Sequence, residues 1–369
     1  MEEVKFWQFI RKVDQKTFSK EHAMKRRIPQ LALCGIAFII TFPTNALGAE
    51  FYKGKTIRFI VSSPPGGGYD LYSRLQARHL PKHIPGKPRI IVQNMPGGGH
   101  LIATRYMYSV AKRDGLTISS LSRSIPHQEI FMGQNKAQFR SVKFNWLGST
   151  TEEVQVCLVR SELPIKKFED LKTAAKPVAM GGQGRGIEPS DYGRMVREIF
   201  KANIHVVDGY KGTGPRRLAL EQKEIDGVCG WSWSSVKGTS QHWLDSGFIR
   251  ILAQLGLRPH PELTKMGVPF LLDMAPNKEA RQIMKVLFSR LAVGRPVLTT
   301  PGVPKGRVAV LRTAFQKTWK DPAFLDEAKR LGLEVNPMSG DEVEKLIRSV
   351  FDQPPELLER VTEIVMGSK

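Results

Sequence analysis

Cysteine is scarce in this 369-residue chain, which has only Cys34, Cys157 and Cys229. Three thiols cannot build a four-thiolate zinc site, and no His/Cys cluster has metal-ligand spacing. Acidic residues are also in deficit, with 35 Asp and Glu against 56 Lys and Arg and a formal net charge of +21. The imbalance favours anionic partners: small carboxylates, lipid headgroups or nucleic acid. The basic residues are dispersed and no nucleic-acid reader motif is present, so no nucleic-acid partner is expected. Catalytic signatures are missing too. There is no Gly-x-Ser-x-Gly elbow, no His-Glu-x-x-His and no phosphate loop ending in Gly-Lys-Ser/Thr. Gly66-Gly67-Gly68 falls short of the Gly-x-Gly-x-x-Gly nicotinamide fingerprint, and no cofactor is expected. No unit recurs at a short fixed period, which excludes a solenoid or propeller. After the first 49 residues no apolar run is long enough to span a membrane.

What is present begins with the N-terminus. Lys25-Arg26-Arg27 precede the apolar run Ile28 to Phe42, broken only by Pro29 and Gln30, and the small residues Ala46, Gly48 and Ala49 follow. A basic end, a short apolar core and small residues form a secretory signal, cut after Gly48 or Ala49 and directing the chain to the periplasm. Met24 is a candidate for the true start. An uncleaved anchor is the other reading, but the run is shorter than the ~20 residues a spanning helix needs. Cys34 as a lipid-attachment site is disfavoured by Leu33 before it. Residues 1–49 hold 8 Lys/Arg and 4 Asp/Glu, so the remainder carries a net charge of +17. Cys157 and Cys229 remain after cleavage; exported cysteines often pair, but these two could equally be buried apolar residues.

The rest alternates between strand-like and helix-like stretches. Thr56 to Val61 reads as a strand, and the turn Ser62 to Gly68 leads to a helix capped by Asp70. Arg89 to Val92 is a second strand, followed by the turn Asn94 to Gly99 and another helix, and Leu116 to Leu121 is a third strand. This order implies a parallel sheet covered by helices. A second α/β block starts near Val154, with strands at Val154–Val159, Val178–Met180, Ile204–Val207, Ile225–Val228 and Ile249–Leu252. Its glycine loops lie at 181–186 and 209–214, the latter opening a helix at Pro215. A last strand at Leu291–Val297 and four helices, expected at Lys305–Trp319, Pro322–Leu331, Asp341–Phe351 and Pro355–Met366, return the chain to the first block. The expected organisation is a 1–49 signal segment, a first lobe of 50–152 plus 291–369 and a second lobe of 153–290, with a cleft between the lobes.

The loops at strand-to-helix junctions carry the functional argument. A helix N-terminus offers unpaired N–H groups and a partial positive charge, and glycine lets backbone approach a ligand closely. Ligands of open α/β sheets bind at the carboxyl edge of the strands, where these loops gather. The candidate ligand contacts are Ser62, Ser63, Pro65, Gly66, Gly67, Gly68, Tyr69 and Asp70 in the first loop and Asn94, Pro96, Gly97, Gly98 and Gly99 in the second. Gly182, Arg185, Tyr210 and Gly212 are their counterparts in the second lobe, with Arg185 the expected charged clamp. Each has a blander role as well: Asp70 a cap, Ser and Asn turn formers, Arg185 a solvated loop residue. His100 could bind an anion if protonated or simply occupy the surface. Trp231 and Trp233 could line the cleft or sit in the core.

Pro65-Gly66-Gly67-Gly68-Tyr69-Asp70, Asn94-Met95-Pro96-Gly97-Gly98-Gly99 and Gly209-Tyr210-Lys211-Gly212, in this order and spacing, resemble the tripartite tricarboxylate transporter substrate-binding proteins, the Bug family. The resemblance covers residues 50 to 369. It implies an α/β, two-lobed periplasmic-binding-protein fold, a Venus flytrap of the type II kind. It also implies a monomeric, non-enzymatic receptor that holds a small organic carboxylate on the 62–70 and 94–99 loops and serves the membrane subunits of a tripartite transporter. Two departures stand out: Gly98 replaces the alanine of the usual second loop, and His100 replaces a small residue. A ligand-sensing receptor and an exported α/β enzyme acting on a carboxylate are the competing readings. Partner choice separates the first from transport, and ligand turnover separates the second.

Overall fold

Residues 51–367 are described by a computed structural model, and the expected signal segment lies outside them. Strand β1 (Thr56–Val61) is buried on both faces from Phe59 onward, as expected of a strand with neighbours on either side and helices above and below. It pairs in parallel with β2 (Arg89–Asn94) and β3 (Thr117–Ser120), with Val61 opposite Asn94 and Ser120. The turns after β1 and β2 therefore leave the same sheet edge. Helix α1 (Gly68–His79) follows the first turn, α2 (Leu101–Arg105) the second, and α3 (Ile125–Met132) comes after β3.

The first sheet has six strands in the order β11-β4-β10-β3-β1-β2, where β4 is Asn145–Ser149, β10 Pro296–Thr299 and β11 Met338–Ser339. It is mixed rather than purely parallel. Strand β10 enters from the far side of the molecule and runs against both β3 and β4. The expected strand at Leu291–Val297 also shifts: Arg290–Val293 is a 3-10 turn, and extended backbone begins only at Pro296. Alternation sends Ile57 and Phe59 to one face with Leu75, Phe315 and Phe324, and Ile60 to the other with Met107, Trp146 and Leu298.

The second sheet runs β7-β6-β8-β5-β9, with β5 at Gln155–Arg160, β6 at Val178–Gly181, β7 at Ile204–Val207, β8 at Gly227–Ser232 and β9 at Ile249–Leu255. β6 is parallel to β7 and β8, while β5 is antiparallel to β8 and β9. Thus β6, β7 and β8 all exit at one edge, each into a helix: α4 (Glu188–Phe200), α5 (Thr213–Glu221) and α6 (Trp233–Thr239). Cys157 on β5 and Cys229 on β8 are cross-strand partners joined as a disulfide.

Helix α7 (Lys278–Ser289) was not expected from sequence. The C-terminal helices α8 (Lys305–Thr318), α9 (Pro322–Arg330), α10 (Gly340–Phe351) and α11 (Pro355–Met366) match their expected spans closely. The last of them packs away from the first sheet. Val361, Ile364 and Val365 pack with Tyr192 and Met195 of α4 and Phe288 of α7, not with the first sheet. Chain order placed α11 with the first lobe, but its apolar stripe meets the second. No helix among the described residues is long and apolar enough to cross a membrane.

Candidate functional site

Four helix N-termini open onto one cleft between the two sheets. The cleft has a cavity volume of about 60 Å³ and is partly open to solvent. Gly67, Gly68 and Tyr69 of α1 line one side; Ile187, Glu188 and Pro189 of α4, Gly212, Thr213 and Gly214 of α5, and Ser232 and Ser235 around α6 line the rest. The approach is close: a Cβ on Gly68 would lie 2.5 Å from Ser235 Oγ and 2.8 Å from Arg295 Nη2. A side chain at 68 would have to displace the Ser235 hydroxyl and the Arg295 guanidinium. A Cβ on Gly67 would lie 3.7 Å from Thr213, so the walls touch across the cleft.

Three arginines reach the cleft. Arg123, at the end of β3, binds Glu188 Oε1 at 2.5 Å, the Gly294 carbonyl at 2.8 Å and Ser232 Oγ at 3.0 Å. Arg295 binds Glu153 at 2.8 Å and shares the Gly294 carbonyl at 3.1 Å. Their guanidiniums lie 6.0 and 5.1 Å from the Tyr69 ring, whose hydroxyl accepts from the Arg123 backbone N–H at 3.0 Å. Burial opposes ionisation of Glu188, but Arg123, Arg290 and the Ser124 hydroxyl outweigh it and hold the carboxyl well below the usual range. Arg216, in the first turn of α5, differs. It is buried, with its guanidinium 5.7 Å from the Trp231 ring, yet Nε and Nη1 have no hydrogen-bond partner among the described residues. Burial pulls its pKa down to about 10, against the opposing pull of Glu188.

His100 lies in the left-handed region at φ 76° and is 5 % exposed. Its Nδ1 meets the Ser62 carbonyl at 2.9 Å and its Nε2 meets Gln183 Nε2 at 3.1 Å. A carbonyl only accepts, so Nδ1 carries the proton and Nε2 accepts from the glutamine amide. Burial lowers its pKa to about 4, so His100 is neutral near pH 7 and joins the two lobes by a neutral hydrogen bond. It is neither the cationic anion-binder nor the surface residue considered from sequence.

Of the residues expected from sequence, Ser63, Pro65, Gly67, Gly68, Tyr69 and Gly212 line the cleft. The others stand behind or away from it. Asp70 is not a cap: Gly67 holds the N-cap position, and Asp70, inside the first turn, accepts from Gly66 N–H, from Arg74 and from Asn94 Nδ2. Asn94 also bonds the Ser63 carbonyl, so it braces the first loop from behind. Ser62 supports His100, and Gly66 makes the positive-φ turn behind the lining residues. Pro96, Gly97, Gly98 and Gly99 belong to the turn that positions His100; Gly97 packs against Ile102 rather than the cleft. Gly182 lies against Ser190 and Asp208, and Tyr210 is bonded to Glu224. Arg185 is exposed and bonded to the Met366 carbonyl of α11, so it is not the clamp. The cleft arginines instead come from positions 123, 216 and 295. The one sequence signal for Arg216 was a basic residue following Pro215 where a helix start favours acids.

One group among the described residues has metal-like spacing: His260, Glu262 and Glu334 bring ligand atoms within 4.8 Å of one another. The Lys237 ammonium already bridges both carboxylates at 2.7 Å each, so the cation there is the protein's own.

The family model described as "Tripartite tricarboxylate transporter family receptor" matches residues 74–362. The chain belongs to that family. The family is one of receptors rather than enzymes. Protein BugT of Bordetella pertussis is 27% identical over 321 residues, covering 76% of this chain and 93% of BugT. A protein of the tcbD-tcbE intergenic region of Pseudomonas sp. strain P51 is 24% identical over 312 residues, covering 82% of this chain and 85% of that one. Among solved structures, the periplasmic binding protein BugD superposes with a TM-score of 0.69 at 20% identity, over 85% of this chain and 98% of BugD. MatC of Rhodopseudomonas palustris, solved with malate, gives 0.64 at 18% identity over 84% and 99%. These likenesses establish a two-lobed periplasmic-binding-protein fold.

Proposed function

We propose that the protein is an extracytoplasmic receptor that captures a small organic carboxylate in the cleft and delivers it to the membrane subunits of a tripartite transporter. The observation that carries this reading is the convergence of four helix N-termini from both sheets on one cavity, because helix ends present N–H donors and partial positive charge to an anion. Ser63 Oγ, buried and without a partner, adds a donor on the first wall. Malate in MatC, and adipate in another Rhodopseudomonas palustris protein that shares the fold with a TM-score of 0.66, support a carboxylate here. The first lobe in this reading is 51–152 plus 291–351, and the second is 153–290 plus α11. Docking begins on Ser63 to Tyr69; closure brings up α5 and the Gln183–His100 bond, and the extra contacts of the closed form drive it. Residues 1–49 act as a cleaved export signal, which places the receptor in the periplasm.

The test is thermal stability of the purified protein against mono-, di- and tricarboxylates, amino acids and aromatic acids. A ligand at a hundredfold excess over its Kd adds about 2.7 kcal/mol of stability. A saturable shift with a carboxylate, absent in Gly68→Val, is the expected result. A shift with amino acid amides or sugars and none with carboxylates would overturn the reading.

A further inference from the structure

The cleft lies where β1, β2 and β3 end, and the edge where those strands begin has a different chemistry. Lys53 and Lys55 precede β1, Lys87 precedes β2 and Arg89 is its first residue, and Lys112 and Arg113 precede β3. Strand β10 runs the other way, so it ends at the same edge, and Lys305 follows at the start of α8. All of these cations are exposed. The backbone draws them into one face. The Arg89 N–H donates to the Lys55 carbonyl at 3.0 Å, and a Cβ on Gly86 would lie 2.6 Å from the Lys53 nitrogen. Towards β3, a Cβ on Gly115 would lie 3.1 Å from the Tyr52 hydroxyl and 3.3 Å from Val303, and one on Gly302 would lie 3.1 Å from Arg113 Cδ. None of these cations forms an ion pair among the described residues. Asp114, beside them in sequence, is half-buried and its carboxylate accepts from the Leu116 N–H at 2.8 Å. The matching edge of the second sheet is neutralised: Glu162 and Asp226 pair with Arg160, Glu162 also pairs with Lys223, and Asp170 accepts from the Lys166 and Lys167 backbone. A cationic face free of acids attracts an anionic surface. Two features favour lipid over protein. Most of the cations are lysines, which protein interfaces avoid and which suit a diffuse layer of headgroups. Val110, two residues before Lys112, is 67 % exposed, an apolar side chain at the rim of a basic face.

We propose that this edge of the first sheet docks the protein on an anionic phospholipid bilayer, with headgroup phosphates on the lysines and arginines that precede β1, β2 and β3 and Val110 entering the interface. Strand β1 has six residues, so the cleft at its far end stands about 20 Å above the headgroups and stays open to solution. Ligand capture and surface docking therefore use opposite ends of one sheet and do not compete. Docking confines the search for a membrane partner to two dimensions. The proposal goes beyond the carboxylate reading and takes from it only the export that brings the chain beside a membrane.

The experiment sediments the purified protein with vesicles of phosphatidylcholine alone or with about 30 % phosphatidylglycerol, at about 0.05 and 0.15 M salt. Wild type is expected to partition about a hundredfold more strongly onto the anionic vesicles, since each basic residue near such a surface contributes about fivefold, and to release as salt rises. The combined change Lys53→Gln, Lys55→Gln, Lys87→Gln and Arg89→Gln is expected to remove most of that preference. Lys166→Gln, Lys167→Gln, Lys172→Gln and Lys176→Gln together remove the same charge from exposed positions of the second lobe and are expected to stay within about threefold of wild type. Val110→Ser is expected to weaken binding about threefold at both salt concentrations, because insertion is apolar. Every variant shares the wild-type N-terminus, so residues 1–49, where retained, contribute equally. Melting curves verify folding, and an unchanged carboxylate-induced shift in each variant shows that the cleft is untouched. No preference for anionic vesicles, or an equal loss in the two quadruple variants, overturns the proposal and leaves the carboxylate reading standing. Tighter capture by polyglutamate than by the vesicles would assign the face to an acidic protein and overturn the lipid assignment. Unchanged binding of Val110→Ser would overturn the insertion.

Discussion

The two walls of the cleft handle charge in opposite ways. On the side of the first sheet, Arg123 and Arg295 are buried and paired, each tied to a glutamate and both to the single carbonyl of Gly294, although Arg295 Nε has no partner among the described residues. On the side of α5, Arg216 is buried and left without an anion. The first pair belongs to the architecture: it fixes the crossing between lobes at Gly294, where a Cβ would come within 2.7 Å of the Thr151 carbonyl. The Arg216 guanidinium lies 5.7 Å from the Trp231 ring and has no carboxylate bonded to it among the described residues. Burial and charge alone do not distinguish the three arginines; the presence or absence of a bonded carboxylate does.

Substitutions can break this contrast. The largest effect is expected from Glu153→Gln, which strands Arg295 and should cost about 3–5 kcal/mol in urea denaturation; a loss under 1 kcal/mol would place Arg295 in the same class as Arg216. Next, Gly68→Val drives a side chain into Ser235 and Arg295 and should weaken every carboxylate at least a hundredfold, about 2.7 kcal/mol by calorimetry. A third test uses pH. Burial lowers His100 to about 4 from 6.5, so below pH 6.5 the unfolded chain takes up a proton that the native state refuses. Stability should fall as pH drops from about 6.5 to about 4, and His100→Asn, which suits the left-handed backbone, should reduce that slope by one proton. The smallest effect is expected from Arg216→Leu in the ligand-free protein. Removing an unpaired buried charge should leave stability unchanged or raise it by about 1 kcal/mol, read by scanning calorimetry.

Much of the fold was legible because its punctuation is local. The β1 and β7 strands were bounded by glycine and proline turns and by β-branched runs, and α11 begins at Pro355 as the sequence suggested. The first glycine loop was legible as a cleft wall for the same reason. The second was not. Its run of positive-φ residues from Gly97 to His100 serves to aim a histidine, and sequence cannot show which way a turn faces. The charged residues were the least legible. Arg123, Glu153, Glu188, Arg216 and Arg295 come from five separate segments, and pairing among them is a property of three-dimensional proximity. Arg185, in a glycine loop, had the better local context for a clamp, but its partner turned out to be the carbonyl of Met366.

Under the proposed export, the bond between Cys157 and Cys229 gives the molecule a memory of its itinerary. It joins strands β5 and β8, the sheet from which Trp231 and the α5 wall rise, and it closes a span of 72 residues. Cytosolic thiols are kept reduced, whereas the periplasm oxidises them. In the proposed export reading, a copy retained before export would carry three free thiols, Cys34, Cys157 and Cys229, and an exported, cleaved copy would carry none. A thiol-reactive label applied to unfolded protein would sort the two populations.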